Sequence, residues 1–130
     1  MPTGLTRDAG WQIGVSHTLP HPPTTVWEFV SEPPGLALWL GTGVELRSPR
    51  RGTTYRTDSG VVGEVRGYRP GERIRLTYGR TTVQVTLTPA EGGRTVLRFH
   101  QERMADARER ERQRAHWREV LDDIAVALDG

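Results

Sequence analysis

The sequence contains no cysteine. That excludes disulfides, thiolate metal sites and cysteine nucleophiles together, and it suits a reducing compartment. Lysine is absent too, so all 18 basic residues are arginine. Arginine keeps its proton to very high pH, which explains a sequence pI near 9.6 on a formal charge of only +2. So small an excess argues poorly for nucleic acid. No run approaches about 18 consecutive apolar residues, so no membrane span is expected. The opening residues MPTGLTRDAG lack the apolar run of a signal peptide. The expected location is therefore cytoplasmic. What remains is a chain of 130 residues, long enough to bury roughly 65–70% of its unfolded surface as one domain without staples.

Residues 1–9 are polar, with a proline and a glycine, and read as a flexible tail. Residues 10–130 read as a single domain. Trp11 to Leu19 alternates apolar and polar, the period of a half-buried strand. Pro20, Pro22 and Pro23 end it. Val26, Trp27, Phe29 and Val30 fit one face of a short helix, broken by Pro33 and Pro34. Leu36, Leu38, Trp39 and Leu40 suggest a second, stopped by Gly41 and Gly43. From Val44 onward turns recur every 8–12 residues between alternating runs, the signature of an antiparallel meander. The candidate strands are Val44–Arg47, Thr53–Thr57, Val61–Tyr68, Arg73–Tyr78, Thr81–Thr88 and Thr95–Gln101.

The C-terminus carries the clearest helix. Asp106 is a good N-cap, and Glu109 completes a capping-box-like pair. Trp117, Leu121, Ile124 and Leu128 form one apolar stripe at helical period. Arg108 to Arg114 contains no apolar residue, and its glutamates make a solvated surface a better reading than a nucleic-acid face. The expected fold is thus α+β. A curved antiparallel sheet of about six to seven strands wraps a long C-terminal helix, with two short helices after the first strand. A sheet with one apolar face needs a cover, and only the last helix is large enough.

Five segments carry a resemblance. They are Pro-Pro-Thr-Thr-Val-Trp27-Glu-Phe-Val, Glu-Pro-Pro-Gly-Leu-Ala-Leu-Trp39-Leu, the run from Gly63 to Tyr78, the run from Val83 to Met104, and His116-Trp117-Arg-Glu-Val-Leu121. The chain resembles the START-related helix-grip superfamily (SRPBCC, birch-pollen-allergen-like). Within it, the chain is most similar to the heat-shock ATPase activator-like branch. The resemblance implies the helix-grip fold and an apolar cavity between sheet and helix. Members bind lipids, polyketides or other hydrophobic molecules; some are cyclases or hydrolases, and some act on chaperones. Where the last strand of the branch often shows Thr-His, this chain has His100-Gln101.

Under that fold, Trp27, Trp39, Tyr55, Val65, Leu76, Tyr78, Val85, Phe99, Gln101, Trp117 and Leu121 are the expected ligand-binding residues. A pocket of this kind is mostly apolar with a few polar tips. His17, on the apolar face of the first strand, is the candidate polar anchor. An inward Gln101 needs a partner, supplied by a ligand or by His17. No serine–histidine–acid grouping is present, and the histidines lack metal-ligand spacing. No catalytic residue, metal or cofactor is therefore assigned. The expected function is binding of a small hydrophobic molecule, lipid or aromatic and polyketide-like. The alternatives are a polyketide cyclase or aromatase-like enzyme drawing on His17, Tyr78 or Glu64, and a module that contacts a chaperone or forms a homodimer.

Overall fold

The computed structural model describes residues 3–6 and 10–130. It contains seven strands and three α-helices, in the order β1 (Leu5–Thr6), β2 (Gly10–Leu19), α1 (Pro23–Ser31), α2 (Pro33–Trp39), β3 (Thr54–Arg56), β4 (Val62–Arg69), β5 (Arg73–Tyr78), β6 (Thr81–Ala90), β7 (Arg94–Met104) and α3 (Ala107–Asp129). The strands form one antiparallel sheet in the order β1-β2-β7-β6-β5-β4-β3. The helix-grip architecture expected from the sequence is the one observed. Of the expected tail, residues 1, 2 and 7–9 lie outside the described residues, while Leu5 and Thr6 pair with Trp11 and Gly10 as a short edge strand.

The register follows the alternation. Ile74 and Leu76 on β5, Val83, Val85 and Leu87 on β6, and Leu97 and Phe99 on β7 are all buried. Arg75, Gln84 and His100, one position out of phase, occupy the other face. Two irregularities bend this surface. The β4–β5 register slips between Val65 and Gly67, and the β2–β7 register slips between Trp11 and Ile13. Bulges of this kind increase local twist.

Helix α3 lies across β2 and also packs on β7 and α2. Its start is capped as the sequence predicts: Asp106 accepts from the Glu109 backbone N–H at 2.8 Å, and Glu109 reaches back to the Ala105 N–H at 3.2 Å. Trp117, Val120, Leu121 and Ile124 are its buried residues, so Val120 joins the expected stripe while Leu128 is only half-buried. The two short helices meet closely. A Cβ on Gly35 would run into the carbonyl of Phe29, so only glycine permits this approach. Among the described residues no helix is long and apolar enough to cross a membrane.

One expected strand is absent. Val44–Arg47 is not a strand. Val44 and Leu46 are nevertheless buried, as an extended segment that packs into the core without a ladder partner. Alternation reports burial on one side of an extended chain; it does not report whether a neighbouring strand is there to pair.

Candidate functional site

The core under α3 is built on three aromatic rings. Phe99 is fully buried, with its centroid 4.7 Å from Trp117 in a nearly parallel stack and 5.7 Å from Trp39 in a tilted one. Each indole N–H is satisfied, as a buried indole requires. Trp39 Nε1 donates to the Val30 carbonyl at 2.8 Å, which ties α2 to α1. Trp117 Nε1 donates to Gln101 Oε1 at 2.9 Å.

Gln101 is the polar hinge of the interior. It is 2% exposed and lies on the inner face of β7. Its carbonyl oxygen also accepts from Gln113 Nε2 at 2.8 Å, and its amide donates to Thr81 Oγ1 at 3.0 Å. Thr81 in turn donates to the Tyr78 carbonyl at 2.8 Å. The network therefore runs from α3 through β7 and β6 to the end of β5. The partners of Gln101 are these neighbours and not His17, which lies opposite Leu97 and is exposed.

A cavity of about 280 Å³ opens beside this network, at the β5–β6 end of the sheet between α2 and α3. Its apolar walls include Leu38, Leu40, Val83 and the two indoles, and its polar tips are Tyr78, Gln101, Gln113 and His116. Burial lowers the His116 pKa from its ordinary 6.5, with Glu119 acting in the opposite sense. The ring thus favours its neutral form, with a nitrogen free to accept a proton. It lies edge-on against Trp117, with centroids 4.9 Å apart, and its outer side meets solvent.

Of the residues expected to line a cavity, the structure gathers Trp39, Tyr78, Gln101 and Trp117 around it. Phe99, Val65, Leu76, Val85 and Leu121 are buried in the packed core. Tyr55 is buried at the far edge of the sheet, where its hydroxyl donates to the Thr77 carbonyl at 2.5 Å. Burial, and then the neighbouring Tyr78, raise its pKa. Trp27 packs on Tyr68, 5.6 Å away. His17 lies apart from the cavity, in a shallow groove with Arg114, Arg118 and Asp122. Glu64 ion-pairs with Arg66 at 3.5 Å and does not line the cavity. Sequence reading missed Gln113 and His116. Both precede the apolar stripe of α3, and only their position one turn or less before Trp117 hinted that they face the same space.

Sheet, gripped helix and end cavity define a helix-grip domain. The model of the Activator of Hsp90 ATPase homolog 1-like protein family matches residues 20–129, and the chain belongs to that family. Among curated proteins, none matches the chain in sequence. Solved structures share the fold. Protein MLL2253 of Mesorhizobium loti is 22% identical with a TM-score of 0.75, over 91% of this chain and 96% of that one. DynU16, from the dynemicin biosynthetic locus, is 24% identical with a TM-score of 0.74, over 91% of this chain but 47% of its own length. The Aha1 dimer of Colwellia psychrerythraea is 17% identical with a TM-score of 0.72, over 90% and 95%.

Proposed function

We propose that the chain binds a small, mostly apolar molecule in the cavity beside Trp39 and Trp117. The observation that carries this is the pairing of an apolar wall with unspent hydrogen-bonding capacity. An amide nitrogen carries two hydrogens, and Gln101 uses one of them. Gln113 likewise uses one amide hydrogen on Gln101 and keeps its carbonyl oxygen. A ligand with an apolar body and a hydroxyl, carbonyl or amide at one end fits that division. The volume of about 280 Å³ sits at the lower edge of the range of about 300–1,000 Å³ for ligand pockets. It favours a compact aromatic molecule over a long-chain lipid. The relative from the dynemicin biosynthetic locus lends this reading support by analogy of fold only.

A second reading has one specific observation behind it. His116 is held toward its neutral form at the cavity wall, and Tyr78 lines the same cavity. A neutral imidazole near a bound carbonyl compound is a competent general base, so a cyclase-like reaction would draw on these two groups and not on His17 or Glu64. A chaperone or homodimer contact draws less support. The large apolar side chains exposed among the described residues are Val62 and Val126, on different elements.

The test is a tryptophan-fluorescence titration with flavonoids, aromatic polyketides and fatty acids. A saturable one-to-one response to a compact aromatic, weakened about tenfold in Gln113→Leu, is the expected outcome, because one hydrogen bond is worth about 1 kcal/mol or somewhat more. No saturable response to any of the compounds would sink the binding reading. Turnover of a bound polyketide, abolished in His116→Gln with binding retained, would establish the second.

A further inference from the structure

The sheet face turned away from α3 carries a feature that the cavity does not use. Arg51, Arg66, Arg75, Arg80 and Arg103 converge on a concave surface of about 540 Å³ at the outside of the β5–β6 hairpin. Two carboxylates answer them: Glu64 pairs with Arg66, and Glu102 with Arg75. Arg51, Arg80 and Arg103 have no carboxylate partner among the described residues. Three uncompensated charges therefore stand here, five less two, against a formal +2 for the whole chain.

Backbone strain at Arg103 supports a purpose for the cluster. Arg103 has φ +67°, a left-handed conformation that non-glycine residues rarely adopt. It sits where β7 takes an extra residue against β2: Trp11 faces Met104, but Ile13 faces Gln101. Strict alternation would point Arg103 inward beside Gln101. The bulge instead keeps Gln101 and Met104 buried and turns Arg103 out to the concave surface. A glycine would take this backbone without strain, yet the position holds a cation aimed at other cations. Like charges brought together without partners disfavour the fold, and an anion would relieve that repulsion.

We propose that this outer concavity binds a small polyanion of the di- or triphosphate class. Guanidinium groups match phosphate oxygens in bidentate geometry. Hydroxyls complete the set: Thr77 Oγ1 accepts from the Glu64 N–H at 2.9 Å, which leaves its own O–H to donate into the surface it lines. The lining contains no aromatic ring, so there is no platform on which nucleic-acid bases would stack. The site is separate from the apolar cavity, because β5 and β6 stand between them.

The experiment is calorimetric titration of the full chain with inorganic triphosphate, at low and at moderate salt. Saturable binding that weakens as salt rises is expected. Arg80→Gln and Arg103→Gly should each weaken it about tenfold, the value of one charge-assisted contact. Arg112→Gln, on the exposed start of α3, should leave it unchanged. Arg103→Gly should also hold or raise Tm, so that its lost binding cannot be put down to unfolding. Absence of saturable binding would overturn the proposal. So would equal weakening by Arg112→Gln, which would mark a diffuse charge effect. Tighter binding of a single-stranded oligonucleotide than of triphosphate, through the same arginines, would replace it with a nucleic-acid surface.

Discussion

The middle of the sheet and its β5–β6 end both lie under helical cover, and only the end is open. In the middle, β7 presents Phe99, and α2 and α3 bring Trp39 and Trp117 onto it. Three large rings fill the space that the curved sheet makes. Two residues further along the same strand face, β7 presents Gln101, and α3 presents Gln113 and His116. The two glutamine amides arrange around shared hydrogen bonds, and these polar side chains leave a gap that three rings would fill. Curvature and a gripped helix provide room in both places; side-chain volume and polarity decide whether any room is left.

The sharpest way to break this contrast is Phe99→Ala. If the middle is close-packed, the loss should be about 3–5 kcal/mol in urea unfolding. A loss below about 1 kcal/mol would mean that the rings around Phe99 are loosely held. Gln101→Leu is the next largest. It keeps the volume but strips the acceptor from Trp117 Nε1 and Gln113 Nε2. Orphaning a buried donor costs about 1–3 kcal/mol, and near-UV circular dichroism of Trp117 should change with it. A fully neutral result would show that water satisfies both groups and that the end is wetter than its lining implies.

The smallest effect expected is that of His116→Gln on the pH dependence of stability. The folded pKa lies below the ordinary 6.5 because of burial. As pH falls through about 6.5, the unfolded chain takes up the proton first, and the fold loses stability until the folded pKa is passed. Above about 6.5 the residue contributes nothing to the slope. His100 is shifted the same way, chiefly by burial, with Glu102 opposing and Arg98 and Arg75 reinforcing. Thermal melts at several pH values should therefore show a shallower acid slope in His116→Gln, with a residue of slope left by His100. An unchanged slope would place the His116 ring in bulk solvent.

Most of the fold was legible because its signals are local. The prolines in the first turns of α1 and α2 and the Asp106 cap mark where helices start, and the alternation of β5 to β7 buries one side of each strand. The Val44–Arg47 segment misled because its alternation is the same with or without a partner strand. The cavity was less legible. Expected lining residues such as Val65 and Leu121 satisfy the apolar pattern, yet they fill the core, while His116 breaks the pattern and reaches the opening.

The sequence by itself determined the two short helices, the inner faces of β5 to β7 and the apolar stripe of α3, since these follow from period and side-chain chemistry. Only the tertiary structure decided which buried rings stack, which polar groups share Gln101, and that Arg103 turns outward at a bulge. Those outcomes depend on register and on contacts between residues far apart in the chain. A one-residue slip in register moves a side chain to the opposite face of the sheet.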